Sequence, residues 1–293
     1  MQTPIGEDPA LIDLHLHSHY SDGSDPPARV VELAVAAGLT AIALTDHDTM
    51  SGLHEAKTRA NELGLGFITG VELSCHTGSR NVHLLGYGID PANSRFGELL
   101  LTQQAARSER NVLLAARLSE LGLEIDLDEV VALAGPDSVG RPHFAAILMR
   151  CGHVSSIDEA FARYLGDGRP AFIERRELRA PDAIRSIHEA GGIASWAHPF
   201  PRRSAATDVS SIEGDLEELS DAGLDALEAW YGRYESDVRR RLRRLASRSG
   251  LLVTGGSDYH GTFKPDLHVG IGLGDLAVPD EVIDLIMSRR NRL

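Results

Sequence analysis

The 293-residue sequence predicts an α/β fold in which a closed or nearly closed barrel of parallel strands carries a helical insertion domain. Two stretches of the chain alternate short apolar strands with helices, which is the pattern of βαβ units. Between them, residues 91–180 show helical spacing and no strand pattern. We therefore expect a discontinuous barrel domain over residues 1–90 and 181–293, and a helical domain over residues 91–180.

The first alternating stretch starts the barrel. A helix over residues 51–63 is predicted to begin at a serine cap, Ser51, and to end at Gly64. The strands of this stretch are almost continuously apolar, which is typical of strands buried on both faces. The other predicted elements are a helix over 26–37 and strands over 11–17, 40–45, 67–74 and 81–87.

The rest of the chain is predicted as four helices followed by a return to alternating strands and helices. The insertion helices cover residues 96–121, 126–134, 142–151 and 156–165. The second alternating stretch has helices over 181–189, 216–222 and 237–249 and strands over 192–197, 224–230 and 251–256. Strands separated by helices indicate a parallel sheet, and this number of units favours a barrel over an open sheet.

Composition excludes several classes of function. The formal net charge is −14, from 29 Lys and Arg against 43 Asp and Glu, which argues against electrostatic binding of a long phosphate backbone. The sequence has no apolar run of the roughly 18 residues that a membrane span needs. Residues 1–10 lack the basic start of a secretory signal, so we expect a cytoplasmic protein. Cys75 and Cys151 are too few for a thiolate cluster, so a metal site must use histidines and carboxylates.

Polar side chains occur at the ends of the predicted strands. His15 and His17 alternate along the first strand, and the two-residue period places both side chains on one face. Because the carboxyl ends of barrel strands meet at the face where active sites lie, we expect these side chains to converge. Histidine and carboxylate ligands suit Mn²⁺, Fe²⁺ or Zn²⁺ and do not distinguish among them. Other strands end in similar residues, at 45–48, 70–72, 197–199 and 256–260.

Taken in order, these segments resemble the PHP (polymerase and histidinol phosphatase) family of metal-dependent phosphoesterases. The match spans nearly the whole chain. The resemblance implies a distorted (β/α)7 barrel that holds two or three divalent metal ions, with manganese favoured. The matching segments are Asp13-Leu14-His15-Leu16-His17-Ser18, Ser21-Asp22-Gly23, Thr45-Asp46-His47-Asp48, Gly70-Val71-Glu72, His83, Ala197-His198-Pro199 and Gly256-Ser257-Asp258-Tyr259-His260.

The resemblance also implies which residues hold the metal ions. Glu72 would bridge two of the ions, and Asp258 is also an expected catalytic residue. Three carboxylates facing three divalent ions leave a positive pocket, which attracts a phosphate in spite of the acidic composition. The three implied sets are His15, His17, Glu72 and Asp258; Glu72, His83 and His198; and Asp22, His47 and His260.

Within the family, the chain is most similar to a subgroup with a helical insertion, which includes 3′,5′-nucleoside bisphosphate phosphatases and 5′-end RNA exonucleases. Residues 140–145 resemble the subgroup's Arg-x-His-Phe-Ala motif, and residues 107–110 resemble its Arg-x-Glu-Arg stretch. Guanidinium groups bind phosphate oxygens in pairs, so the resemblance implies that the insertion recognises substrate. His143 is the candidate for protonating the leaving oxygen. The expected substrate-binding residues are Arg107, Arg110, Arg141 and His143.

Two segments depart from the subgroup's pattern. The subgroup has Gly-Arg-Tyr after the His-Pro pair, whereas this chain continues with Phe200 and a proline. We hypothesise that Arg202 or Arg203 replaces the missing arginine, because both are cationic and close to His198 in sequence. Lys264 lies in a longer loop after the last ligand motif.

These observations predict a phosphoric ester hydrolase that releases inorganic phosphate from a small phosphorylated nucleotide. The first expected substrate is the 3′-phosphate of nucleoside 3′,5′-bisphosphates, and the second is the 5′ end of short RNA. We expect no membrane partner and infer no protein partner. Two alternatives stay open, a histidinol-phosphate-like monoester phosphatase and a non-catalytic module that binds metal or nucleotide.

Other polar residues receive weaker interpretations. Asp13 and Asp46 flank expected ligands and are candidates for orienting ligand imidazoles, although strand alternation equally allows Asp46 to point away. The basic run at residues 239–244 is interpreted as a solvated helix face.

Overall fold

The computed structural model describes residues 11–134, 139–175, 178–200 and 208–292. Its strands are β1 (Leu11–Leu16), β2 (Ala41–Leu44), β3 (Gly66–His76), β4 (Asn81–Tyr87), β5 (Leu178–Arg179), β6 (Ile193–Ala197), β7 (Ala226–Tyr231), β8 (Leu252–Gly256) and β9 (Val278–Pro279). Its helices are α1 (Pro27–Ala36), α2 (Leu53–Leu63), α3 (Ser94–Glu120), α4 (Leu127–Ala134), α5 (Arg141–Arg150), α6 (Ile157–Ala160), α7 (Ala180–Glu189), α8 (Glu213–Asp221), α9 (Ser236–Arg248) and α10 (Glu281–Arg290). No helix within these ranges combines the length and the apolar character of a membrane span.

The described strands form one sheet whose main path runs β8-β7-β6-β4-β3-β2-β1-β9, with β5 beside β3. The sheet curls until the end of β8 returns to β1. There the Asp258 amide donates to the His15 carbonyl at 2.9 Å, and the His17 amide donates to the Tyr259 carbonyl at 3.1 Å. The long strands therefore nearly close into a barrel surrounded by helices, which confirms the predicted α/β barrel.

One of the predicted strands, β4, runs against the predicted direction, and the short β9 also pairs antiparallel, with β1. β4 pairs antiparallel with both β3 and β6, so the prediction of a parallel sheet is wrong at this strand. The connection between β3 and β4 is a tight turn, in which the Thr77 amide donates to the Arg80 carbonyl at 2.9 Å. A parallel crossover needs a dozen or more residues. The short turn between β3 and β4 therefore produces an antiparallel hairpin.

Helix α9 covers the barrel with one apolar face. In α9, Val238 and Leu242 are buried while Arg240 is exposed, as expected for a solvated basic face. Arg239 departs from that interpretation, because it is buried and its guanidinium donates to Asp275 at 2.8 Å.

Helix α2 begins later than predicted. Gly52 rather than Ser51 occupies the cap position, and no side chain caps the helix, so the predicted serine cap is wrong. The helix ends as predicted, because Gly64 adopts the left-handed conformation that glycine reaches at low cost.

The described chain between β4 and β5 is helical, and its main apolar side chains pack together. Leu118, Phe144, Ile147 and Leu148 are fully buried in one cluster that is distinct from the clusters beneath the barrel helices. The long helix α3 leaves the barrel after β4 and carries Arg107 and Arg110. The division into a barrel domain and an insertion domain stays a prediction.

Candidate metal centre

Histidine and acidic side chains meet at the carboxyl end of the barrel. β1 places His15 and His17 there, and both rings are fully buried because the neighbouring strands and loops enclose them. β3 and β4 supply two further side chains, and the loops after β1, β2, β6 and β8 supply the rest. We call the nine residues the ligand cluster, namely His15, His17, Asp22, His47, Glu72, His83, His198, Asp258 and His260.

Glu72 is the residue that joins the ligand cluster. It is fully buried, and imidazole nitrogens surround both oxygens of its carboxylate. Glu72 Oε2 lies 3.1–3.3 Å from one ring nitrogen of each of three histidines, namely His15, His17 and His47. Glu72 Oε1 lies 2.8–2.9 Å from one ring nitrogen of each of His83 and His198.

The ligand cluster contains sets of side chains that can each hold one metal ion. Within each set, one ligand atom per residue lies within 4.8 Å of all the others. The sets found in the described residues are His15, His17, Glu72 and Asp258; His17, Asp22, His47 and His260; and His47, Glu72 and His83. The first is the set implied by the family resemblance, and the second adds His17 to an implied set. The third contains His47 where the resemblance implies His198.

The chemistry of these side chains fits divalent cations. His17 Nε2, Asp22 Oδ1 and His260 Nε2 are buried and make no well-aligned hydrogen bond in the described structure, although each lies about 3.1 Å from an atom of another cluster residue. Burial lowers the pKa of His47 to about 4. Burial alone would raise the pKa of Asp22, but the His260 and His47 imidazoles outweigh it and hold that pKa well below its usual range. Neutral imidazoles and ionised carboxylates are the forms that bind metal ions.

Glu228, which the sequence interpretation missed, contacts two histidines of the ligand cluster. It is fully buried on β7, its Oε1 lies 2.8 Å from His15 Nδ1, and its Oε2 accepts from the His198 amide at 2.7 Å. A carboxylate on one ring nitrogen orients the imidazole and directs the other nitrogen toward the site. The available signal was an acidic residue inside the apolar strand 226–231, since a buried carboxylate needs partners.

Asp258 is held by two side chains on one of its oxygens. Tyr231 donates its hydroxyl to Asp258 Oδ2 at 2.8 Å, and Lys264 Nζ donates to the same oxygen at 2.6 Å. Asp258 Oδ1 lies 3.5 Å from both His15 Nε2 and His17 Nε2. The longer loop that departs from the subgroup's pattern therefore contributes Lys264 to the support of a ligand-cluster residue.

Backbone strain is concentrated at this end of the barrel. The non-glycine residues with positive φ in the described chain are Asp48 at 53°, His198 at 27° and Asp258 at 57°. Each lies shortly after the end of a barrel strand. Such conformations cost ~1–3 kcal/mol each and persist where the surrounding structure enforces them, most often at functional sites.

A cleft of about 520 Å³ opens beside the ligand cluster, and Asp22, His47, His83 and His198 form part of its wall. Five guanidinium groups form another part of the wall, beside apolar side chains such as Trp196 and Phe200, and they concentrate positive charge there in an otherwise acidic protein. The sequence interpretation missed Arg80 and Arg175. The lining arginines are Arg80, Arg107, Arg110, Arg141 and Arg175.

Arg141 is fixed by contacts with residues 161–172. Its guanidinium pairs with Asp167 at 2.8 Å and donates to the Leu165 carbonyl at 3.2 Å. The same group lies 5.9 Å from the ring centroid of Phe161 and 5.6 Å from that of Phe172. These contacts hold Arg141 at the cleft wall.

His143 lies behind the cleft wall rather than among the residues that line it. It is fully buried in the first turn of α5, and the Gly140 amide donates to its Nδ1 at 2.9 Å. Burial lowers the pKa of His143 to about 4. The ring is therefore neutral at pH 7 with its proton on Nε2, so it is a hydrogen-bond donor and a weak source of a proton.

Neither Asp13 nor Asp46 contacts a ligand imidazole directly in the described structure; Asp46 reaches His17 only through the Ser21 hydroxyl. Asp46 accepts from the Ser18 amide at 2.7 Å and holds the loop after β1. Asp13 accepts from the Ser257 amide at 2.9 Å and from the Gly270 amide at 2.8 Å, and it thereby ties β1 to the end of β8. Both carboxylates serve loop backbones, which sequence spacing does not reveal. Arg202 and Arg203 lie outside the described residues.

Comparison with known proteins identifies the family. The PHP domain family matches residues 13–164. A 5′-3′ exoribonuclease of Haemophilus influenzae is 37% identical over 255 residues, which cover 85% of this chain and 89% of that protein. A 3′,5′-nucleoside bisphosphate phosphatase of Chromobacterium violaceum is 34% identical over 262 residues, which cover 89% of this chain and 91% of that protein.

A solved structure from Bifidobacterium adolescentis, provisionally described as a metal-dependent phosphoesterase, has the same fold. It superposes with a TM-score of 0.85 at 32% identity and covers 96% of this chain and 98% of its own. The family match, the two relatives and this structure agree with the motifs at the strand ends. The chain belongs to the PHP family of metal-dependent phosphoesterases.

Proposed function

We propose that the protein removes a phosphate from small phosphorylated nucleotides. The first substrate class is the nucleoside 3′,5′-bisphosphates, at the 3′-phosphate, and the second is the 5′ end of short RNA. The observation that carries the proposal is a buried cluster of histidines and carboxylates beside a cleft lined by five arginines. The exoribonuclease and phosphatase relatives support a nucleotide substrate.

We propose that the ligand cluster holds two or three divalent ions, with Mn²⁺ first and Fe²⁺ and Zn²⁺ as alternatives. Bound there, such ions supply Lewis acidity toward phosphate oxygens. All four residues of the set His15, His17, Glu72 and Asp258 are buried, as are all four of the set that contains Asp22 and His260, whereas His83 of the remaining set is only partly buried.

The arginines of the cleft bind and orient the substrate in this proposal. Guanidinium groups match phosphate oxygens with paired hydrogen bonds, and Arg107, Arg110 and Arg141 offer them from residues 91–180. The insertion would thus recognise the nucleotide while the barrel end holds the reacting phosphate. His143 would act on the substrate only from behind the cleft wall, where its Nδ1 accepts from the amide of Gly140, a residue of that wall.

Phosphate release from adenosine 3′,5′-bisphosphate tests the function. Purified protein loaded with Mn²⁺ is compared with a chelated sample and with histidinol phosphate at the same concentration. We expect release from the bisphosphate in the metal-loaded sample and little release in the other two. Release from histidinol phosphate alone would favour the monoester alternative and contradict the proposed substrate.

A variant pair tests whether the ligand cluster is catalytic. Asp258→Asn removes a charge from the cluster, and Asp284→Asn makes the same change at an exposed position on α10. We expect Asp258→Asn to abolish most phosphate release and Asp284→Asn to leave it unchanged. Unchanged release in Asp258→Asn would support the non-catalytic alternative.

A further inference from the structure

Lysine is rare in this chain, and one of its lysines lies beside the ligand cluster. The sequence has 29 basic residues, of which two, Lys57 and Lys264, are lysines. Lys57 is exposed on α2, whereas the side chain of Lys264 is only 8% exposed and its Nζ lies 2.6 Å from Asp258 Oδ2. Burial of an ammonium group is costly unless it is paired. A chain that otherwise uses arginine therefore places a compact single charge against a carboxylate of the ligand cluster.

The loop that carries Lys264 is fixed on two sides. The Thr262 amide donates to Ser24 Oγ at 2.9 Å, which ties the loop to the segment after β1. The Phe263 ring packs edge to face against His143 of α5, with 5.0 Å between the ring centroids. These contacts hold Lys264 in place, so its ammonium group is a fixed charge rather than a mobile one.

The two oxygens of the Asp258 carboxylate have different surroundings. Oδ2 accepts from the Tyr231 hydroxyl at 2.8 Å and from Lys264 at 2.6 Å. Oδ1 lies 3.5 Å from both His15 Nε2 and His17 Nε2, so it is the oxygen that faces the metal-binding set. The Asp258 backbone is fixed as well, because its amide donates to the His15 carbonyl at 2.9 Å. The carboxylate therefore presents one oxygen to an ion bound by this set.

We propose that Lys264 is a positioning residue that restricts Asp258 to one metal-binding oxygen, and that it thereby selects against ions that depend on bidentate carboxylates. The inference rests on the metal centre of the proposed function and names the residue that sets its ion preference. Ca²⁺ takes about six to eight oxygen ligands and often binds both oxygens of a carboxylate. Zn²⁺ prefers a small tetrahedral shell, to which imidazoles are well suited. Two imidazoles and a one-oxygen Asp258 therefore disfavour Ca²⁺.

Charge and geometry predict different effects when Lys264 is replaced. Removing a positive charge beside Asp258 strengthens the binding of Ca²⁺ and Zn²⁺ alike, because both ions are divalent. Releasing Oδ2 strengthens Ca²⁺ binding more, because Ca²⁺ uses the second oxygen. The ratio of the two affinities therefore isolates the geometric effect and cancels the Coulombic one. A merely structural role of Lys264 would weaken the binding of both ions.

Calorimetric titration of chelator-treated protein with Ca²⁺ and with Zn²⁺ tests the proposal without any turnover. Lys264→Met removes the ammonium group and keeps an unbranched side chain, and Lys57→Met makes the same change at the exposed lysine. We expect Lys264→Met to shift the affinity ratio toward Ca²⁺ by ~10- to 100-fold, which is the size of effect that partners of metal ligands have. Lys57→Met should match wild type.

Two further variants locate the effect. Tyr231→Phe removes the other donor to Asp258 Oδ2 without changing a charge, and it should shift the ratio in the same direction by a smaller factor. In the Asp258→Asn background, Lys264→Met should leave the ratio unchanged, because Lys264 then no longer holds a carboxylate. If Lys264→Met does not fold, the ratio in Tyr231→Phe decides the question.

The possible outcomes separate this inference from the proposed function. Equal gains for both ions in Lys264→Met would leave only a charge effect and contradict the proposal. Equal losses together with a lower melting temperature would assign Lys264 to folding, which also contradicts it. Wild-type protein that binds neither ion would overturn the metal centre itself. The expected shift in ratio without phosphate release from any nucleotide would support this inference and contradict the proposed function.

Discussion

Glu228 shows how one buried charge can serve several neighbours. A buried carboxylate is costly unless it accepts hydrogen bonds, and Glu228 accepts from His198 and faces the His15 ring. Glu228→Gln replaces one acceptor oxygen with a donor and weakens the orientation of both histidines. We expect Mn²⁺ affinity and phosphate release to fall ~10- to 100-fold, as for other partners of metal-binding histidines. Elemental analysis after dialysis and a phosphate assay measure the two effects.

The control for this change is Glu217→Gln, because Glu217 is exposed on α8. We expect the control to retain the metal content and rate of wild type. If Glu228→Gln behaved like the control, then Glu228 would not orient the ligand histidines.

His15 predicts a coupling between metal binding and protons. Burial lowers the pKa of His15, but Glu228, Glu72 and Asp258 outweigh burial and raise it well above its usual value. A ring that holds a proton at neutral pH must release it to bind a metal ion, so Mn²⁺ affinity should increase as pH rises. Calorimetry of Mn²⁺ binding in buffers of different ionisation enthalpy measures the protons released. Heats that do not depend on the buffer would contradict this prediction.

The nine residues of the ligand cluster were predictable from sequence motifs, because each of these residues lies on or shortly after a strand that the sequence also predicts. Asp48 was visible within a motif, but its contact with Arg175 joins residues far apart in the chain. Glu228 likewise acts on His15 across the barrel. Such partners depend on side-chain packing between distant segments, which strand and helix periodicity does not describe.

At the scale of elements, the contact between β1 and β8 leaves no room for a side chain at Gly256. A Cβ there would lie 2.3 Å from the His15 amide nitrogen and 2.6 Å from Asp13 Oδ1. Gly256→Ala must therefore push the two strands apart where the barrel nearly closes. We expect it to lower the free energy of unfolding by ~1–3 kcal/mol, as other overpacked sites do, measured by urea denaturation.

Gly97→Ala is the matched substitution, because Gly97 lies within α3 and a Cβ there meets no atom within 4 Å. Alanine is a better helix former than glycine, so we expect a gain of ~0.5–1 kcal/mol. The two Gly→Ala changes should thus shift stability in opposite directions. A stable Gly256→Ala variant would show that β1 and β8 are not in close contact in solution.

Element type was predictable from periodicity, but element direction and short elements were not. The helices α3, α7 and α9 match their predicted ranges to within a few residues. The direction of β4 depends on the length of the turn before it, which is visible in the sequence and outweighs the βαβ pattern elsewhere. β5 and β9 contain two residues each, which is too short for any periodic signal.

At the scale of the whole molecule, the protein has a net charge of −14, whereas its cleft is lined by five arginines. A cationic cleft attracts a compact phosphorylated ligand, whereas an acidic surface repels the backbone that extends beyond it. We expect kcat/KM to be higher for 5′-phosphorylated mono- and dinucleotides than for a long transcript with the same 5′ end. A series of RNA lengths at fixed salt measures this trend, and processive degradation of the long transcript would contradict it.

Repeated βαβ units predict a barrel and predict which end of it carries the site, so the overall architecture was predictable from the sequence. The relation between residues 91–180 and the cleft could not, because it depends on how α3 and α5 pack against the barrel loops. The motif around Arg141 pointed to substrate contact but not to the aromatic rings that hold its guanidinium.

The three positive-φ residues set a limit on how this protein could be made more robust. At Asp48, His198 and Asp258, glycine would relax the backbone, while the contacts described above need a carboxylate or an imidazole. Selection for heat resistance alone would therefore favour replacements that erase the site, and selection for turnover would reject them. Thermostabilising this protein without losing activity will depend on positions such as Gly97, where backbone preference and chemistry do not conflict.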